Sequence, residues 1–152
     1  MSVLLVALTV LMGLAVGWSI GANDAANSLG TAVGSRVLNL KQAIILICIF
    51  GFLGAYLQGC YVTRTIGRGI VPLHLLDKDM AMYVALVACF AACAWVVLAT
   101  YWKMPISTSH SIVGAVAGAG LAIGAQVRLR CLVDIFICWI FTPLGAAVLG
   151  YV

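Results

Sequence analysis

The chain has 152 residues, 65% of them hydrophobic and only 8% charged, with a formal net charge of +4. Soluble domains carry roughly a quarter of their residues as Asp, Glu, Lys and Arg, so a chain with a mean hydropathy of +1.21 cannot cover itself in water. The positive balance is no nucleic-acid footprint either, because the eight Lys and Arg are scattered between apolar blocks, where membrane proteins place their loop charges.

Taken in chain order, the first element is Val3 to Ile20, uncharged and long enough to span a bilayer core at 1.5 Å per residue. It lacks a basic leader and exceeds the apolar core of a signal peptide, so it is expected to be a retained transmembrane helix. A polar stretch follows, Gly21-Ala22-Asn23-Asp24-Ala25-Ala26-Asn27-Ser28-Leu29-Gly30. Ala43 to Val62 is the second expected span. The loop after it carries Arg64, Arg68, His74, Asp77, Lys78 and Asp79 and reads as a solvated, interface-anchoring segment. Met80 to Trp102 is the third span.

Met104 to Val127 is also uncharged, but Pro105 and a run of hydroxyls crowd its start, and Gly114, Gly118, Gly120 and Gly124 follow. Breakers and hydroxyls at membrane depth are tolerated only when buried in protein or facing a cavity. The segment is therefore expected to be either a re-entrant helical hairpin or a helix packed closely through its small face; the hairpin is favoured, with the glycines serving helix packing. Ile135 to Val152 is the last span. The expected fold class is therefore all-α integral membrane, about four transmembrane helices plus the hairpin, in a single domain over 1–152. With the hairpin returning to its own side, Arg36, Lys41, Lys103, Arg128 and Arg130 oppose Arg64, Arg68 and Lys78, and the positive-inside rule puts the N-terminus outside the cytoplasm.

Six cysteines, Cys48, Cys60, Cys89, Cys93, Cys131 and Cys138, form no CxxC pair and are expected to pack as small hydrophobes. His74 and His110 are too few and too distant for a metal cluster. No organic cofactor is implied.

Asp24 is the most informative residue. A carboxylate inside a span costs about 2.5–3.5 kcal/mol on insertion scales and commonly has a role. Asn23 and Asn27 are four apart, as are Asp24 and Ser28, so their oxygens share one helix face. Oxygen ligands with one formal charge suit Na⁺, or a proton on Asp24 itself. Gly21, Gly30 and Gly34 would let the helix unwind there. The bland alternative is that Asp24 only caps the end of the first span.

The second constellation is Pro105-Ile106-Ser107-Thr108-Ser109-His110-Ser111. Proline suits the first turn of a helix, and the helix N-terminus with its hydroxyls is a ready oxyanion site. Here too the hydroxyls could be no more than caps. His110 is a donor, a proton relay or a satisfied buried imidazole. A hydrolytic Ser109–His110 pair is rejected, since adjacent helix residues do not face each other.

The first motif, continued through Thr31-Ala32-Val33-Gly34-Ser35, closely resembles the GANDxANxxGTxVGS signature of the inorganic phosphate transporter family. Pro105 to Gly114 is similar to that family's P-[IV]-S-T-[ST]-H-S-I-V-G element. The resemblance implies a coupling-cation site at Asn23, Asp24 and Asn27, where Na⁺ is the possible metal. It also implies a phosphate site drawing on Ser28, Ser107, Thr108, Ser109 and His110. Cation-coupled transport of inorganic phosphate by alternating access would follow, with Na⁺ or H⁺ as coupling ion, in a multi-pass protein of the plasma membrane. The family pattern has two inverted repeats, whereas each element occurs once here. A second repeat is thus expected in a longer chain, in a partner chain or in a dimer. The competing expectations are a transporter of another oxyanion such as sulfate, or a non-transporting membrane partner.

Overall fold

A computed structural model describes residues 3–151. They form five α-helices: α1 (Val3–Gly34), α2 (Leu40–Arg64), α3 (Lys78–Tyr101), α4 (Thr108–Ala122) and α5 (Leu129–Tyr151). A π-helix, Thr65–Ile70, continues α2, and a single 3-10 turn, Leu73–Leu75, leads towards α3. Four stretches are long and apolar enough to cross a membrane: Val3–Gly34, Leu40–Ile70, Lys78–Tyr101 and Leu129–Tyr151. The chain is a multi-pass integral membrane protein.

The unwinding expected around Gly21, Gly30 and Gly34 does not occur, for α1 is one helix of 32 residues. Glycine permits a break without requiring one, and no proline removes an N–H from this stretch. The hydroxyls bond back along the helix instead, Thr9 Oγ1 to the Leu5 carbonyl at 2.8 Å and Ser19 Oγ to the Val16 carbonyl at 2.9 Å. Without water, the conformation that pairs every backbone group prevails.

The helix ends follow from local chemistry. α2 starts on a capping box in which Asn39 Oδ1 accepts from the Gln42 N–H and Gln42 Oε1 accepts from the Asn39 N–H, the reciprocal pairing of orphan donors. Helices α1, α3 and α4 close with the same paired bonds. Val37, Met104 and Ala125 donate to the carbonyls of Ala32, Ala99 and Gly120, and the preceding residues to those of Val33, Thr100 and Leu121. This Schellman geometry needs a left-handed residue, and Arg36, Lys103 and Gly124 occupy it with φ of 62°, 58° and 69°. Two of the three are cations, which suit the negative end of a helix dipole.

Packing centres on α3. Val84, Ala88, Ala92, Val96 and Ala99 make one buried stripe, spaced four, four, four and three apart. Its alanines let neighbouring helices come close, as small residues do in membrane bundles. α1 and α4 occupy that stripe. Ile70 and Val71, inside the stretch expected to be a solvated loop, are fully buried in the same core with Val113, Val116 and Ala119. The loop is thus a core element whose charges sit at its margins. Of the glycines in α4, only Gly120 is packed closely enough to require the residue, since a Cβ there would lie 2.5 Å from Val71 Cγ2.

The expected helical hairpin within Met104 to Val127 is one helix of 15 residues with non-helical flanks. At 1.5 Å per residue it covers about 22 Å, short of the roughly 30 Å bilayer core. α4 starts beside the end of α3 and finishes against Val71. There the Arg128 N–H donates to the Ile70 carbonyl at 2.9 Å and Arg128 Nη1 to the Arg68 carbonyl at 3.4 Å. Arg128 therefore shares an end of the molecule with Arg68 instead of Lys103, and the charge count behind an outside N-terminus does not hold.

The cysteines also depart from expectation in part. All six are free thiols, but Cys48, Cys60 and Cys138 are exposed on the outer faces, and only Cys89, Cys93 and Cys131 are partly buried.

Candidate functional site

Asp24 lies ten residues before the end of α1, so it caps nothing. Its Oδ2 accepts a hydrogen bond from Thr108 Oγ1 at 3.0 Å. That bond joins the two sequence motifs across 84 positions and sets the first residue of α4 against the polar turn of α1. Pro105 is not in the helix; it belongs to the extended segment that precedes the N-cap residue Ser107.

Asn23 is the anchor beneath this contact. It is buried, 6% exposed, and its amide is fully engaged. Nδ2 donates to Thr100 Oγ1 at 3.0 Å and to the Met104 carbonyl at 3.4 Å, while Oδ1 accepts from Asn27 Nδ2 at 3.0 Å. The spacing of four between Asn23 and Asn27 thus works as expected. With the Asn23 oxygen committed, Asp24 Oδ1, Asn27 Oδ1 and Ser28 Oγ are the side-chain oxygens of the motif at residues 21–30 with no hydrogen bond among the described residues. A hard cation would coordinate such oxygens; among the described residues no group of three or more His, Cys, Asp or Glu forms a metal cluster.

Ser107 organises the start of α4. Its Oγ accepts from the His110 N–H at 3.3 Å, contacts His110 Nδ1, and lies 3.0 Å from Ser109 Oγ. Its carbonyl accepts from Ser111 Oγ at 3.0 Å and from the Ser111 N–H at 3.2 Å. Ser107 is therefore a cap, and the N–H groups of Thr108 and Ser109 are left as the orphan donors of the first turn. His110 is not a buried imidazole; it is exposed and stacked on Trp139, ring centroids 3.4 Å apart and planes 18° apart. Phe136 meets Trp139 edge-on, with centroids at 4.8 Å. The histidine pairs with Ser107, three residues back, and not with Ser109.

Ser28 stands apart. It is exposed and lines a groove between α1 and α2 with Leu29, Leu46 and Phe50, and no hydrogen bond among the described residues joins it to α4. Thr100 and Trp139 are the residues that sequence reasoning passed over. A lone hydroxyl near the end of an apolar span hinted at Thr100, whereas nothing marked Trp139 among the aromatics of α5.

The depth of the site can be gauged from two helices. Asp24 is about 15 Å from the C-terminal end of α1, and Trp139 about 15 Å from the start of α5, at 1.5 Å per residue. Those ends are opposite, because α2 and its π-helical extension run from one to the other. Asp24 and Trp139, and with them Thr108 and His110, therefore lie well in from both of these helix ends.

Residues 20–152 match the phosphate transporter family. The chain is 37% identical over 147 residues to a protein named as a candidate phosphate permease in Pyrococcus furiosus, covering 95% of this chain and 36% of that protein. It is 37% identical to the chloroplastic inorganic phosphate transporter 2-1 of Arabidopsis thaliana (94% and 25% covered) and 38% identical to sodium-dependent phosphate transporter 1 of Mus musculus (80% and 18%). A solved structure described as the sodium-dependent phosphate transporter superposes with a TM-score of 0.85 at 38% identity, covering 91% of this chain and 35% of that one. The chain thus spans about a third or less of the length of these proteins.

Proposed function

Because the chain belongs to the phosphate transporter family, we propose that it supplies one repeat of a sodium-coupled importer of inorganic phosphate. The observation that supports this reading is the Thr108–Asp24 hydrogen bond, which brings the α1 carboxylate and the N-terminus of α4 side by side. Asp24 Oδ1 and Asn27 Oδ1 take the cation. The free N–H groups of Thr108 and Ser109, with the Ser109 hydroxyl and His110, take the phosphate, aided by the positive end of the α4 dipole.

Coupling follows from electrostatics. An ionised Asp24 about 5 Å from a phosphate oxyanion would oppose it by about 3 kcal/mol at an effective dielectric of 20, roughly a hundredfold in affinity. A sodium ion on Asp24 cancels that repulsion, so phosphate binds after the cation. A proton on Asp24 would act through the same charge balance. The second repeat, in a longer chain or a second subunit, completes the site and permits alternating access by rocking of one repeat against the other.

The test is uptake of radiolabelled phosphate into proteoliposomes under a sodium gradient. Uptake by this chain should be lost in Asp24→Asn, which keeps the shape and removes the charge. Uptake that persists in the variant would contradict the proposal, as would a gradient-driven flux of sulfate without phosphate. Absence of uptake by the inserted, folded parent chain would mean that transport requires the second repeat, whether in a longer chain or on another polypeptide.

A further inference from the structure

The π-helix at the end of the second span is the feature left unused by the phosphate reading. A π-helix is rare and concentrates at functional positions; this one covers six residues, Thr65–Ile70. Arg64 precedes it and Arg68 lies within it. The two line a cavity of about 390 Å³ together with Cys60, Thr63 and Gly67. Both are exposed, and neither guanidinium takes part in an ion pair among the described residues. Thr63 and Gly67 also belong to a second cavity of about 320 Å³. That cavity runs between the π-helix, α3 and α4, and its wall is apolar, formed by residues such as Ile66, Ala85, Cys89 and Ile112.

A basic cavity at the end of a membrane span thus lies next to an apolar cavity facing the bundle, the two sharing Thr63 and Gly67. We propose that the pair is a binding site for an anionic phospholipid, with the headgroup phosphate on Arg64 and Arg68 and an acyl chain in the apolar cavity. Charge complementarity selects the headgroup, since Arg presents paired donors that match phosphate oxygens. The depth is right for a lipid, because the arginines sit where the span Leu40–Ile70 ends and α5 begins beside it. Basic pockets between helices at that level are suited to anionic headgroups. A soluble anion has no use for the apolar cavity, and a neutral lipid has none for the arginines. An occupant would brace the π-helix, whose Ile70 and Val71 end is packed into the core beneath α4.

Native mass spectrometry of the full chain in mild detergent tests this, with phosphatidylglycerol and phosphatidylcholine of identical acyl chains as probes. The chain should retain phosphatidylglycerol and shed phosphatidylcholine. Arg64→Gln with Arg68→Gln should weaken retention by about thirty-fold, from about fivefold per cation. Ala85→Phe, filling the apolar cavity, should weaken it while leaving the arginines in place. Arg36→Gln with Lys41→Gln, two cations at the other end, should change nothing, and excess inorganic phosphate should not displace the lipid. Equal retention of both lipids, an equal loss in the Arg36–Lys41 control, or displacement by inorganic phosphate would each overturn the proposal. None of these outcomes depends on phosphate transport.

Discussion

At the scale of single residues, buried polar pairing and close packing decide the consequences. Thr100→Val keeps the shape but leaves Asn23 Nδ2 short of its 3.0 Å acceptor; an unmet buried donor costs about 1–3 kcal/mol. Thermal unfolding in detergent should register that loss, together with reduced phosphate uptake, since Asn23 fixes the turn that bears Asp24. Gly120→Ala sets a methyl 2.5 Å from Val71 Cγ2, and Val71 is fully buried. Overpacking of this kind costs about 1–3 kcal/mol. Gly118→Ala meets nothing within 4 Å and should be neutral or stabilising by up to about 1 kcal/mol. A destabilised Gly118→Ala beside a tolerated Gly120→Ala would refute this account of α4 packing. The sequence anticipated that Asn23 and Asn27 meet, as their 3.0 Å bond shows, because helical spacing is local. It could not reveal Thr100 or Trp139, whose contacts cross 77 and 29 positions, nor that Ser28 turns towards α2.

Helices and their ends are the next level. Ser107→Ala removes the acceptor for the His110 N–H and should cost about 1 kcal/mol, as N-cap losses commonly do; Ser107→Asn, an equally good cap, should restore most of it. Helix content followed by circular dichroism during unfolding separates the two. Gly124→Ala meets no atom within 4 Å, yet a φ of +69° burdens any L side chain, so a loss of about 1 kcal/mol is expected from the backbone alone. Both variants read the ends of α4, the element whose extent was hardest to foresee. Hydropathy marked the four spans because an uncharged run about 20 residues long has few alternatives in lipid. It failed at α1, where glycines suggested a break that backbone pairing prevents. It failed again between α2 and α3, where flanking charges concealed that Ile70 and Val71 belong to the core.

The whole molecule is thinly packed. No residue of α5 is buried, and only Ala43 of α2 is, while α1, α3 and α4 share the interior. The broad apolar faces of α2 and α5 suit lipid or the second repeat. The helix α4 runs back from the level of Asp24 to the Val71 end, so the polar contact lies where α3 hands the chain to α4. Sequence patterning gave the two motifs and their order. Only the fold shows that they touch, because that contact depends on α3 delivering the chain to the level of Asn23 before it turns back. The central claim is that the motifs of α1 and α4 act as one site. Equilibrium binding of radiolabelled phosphate in the presence of sodium, for the parent chain, Asp24→Asn, Thr108→Val and the double variant, tests it most directly. If the two residues act as a unit, each single change should weaken binding and the double change should weaken it no more than the worse single one. Losses that simply multiply would mean that Asp24 and Thr108 serve independent purposes, and the joined site would have to be abandoned.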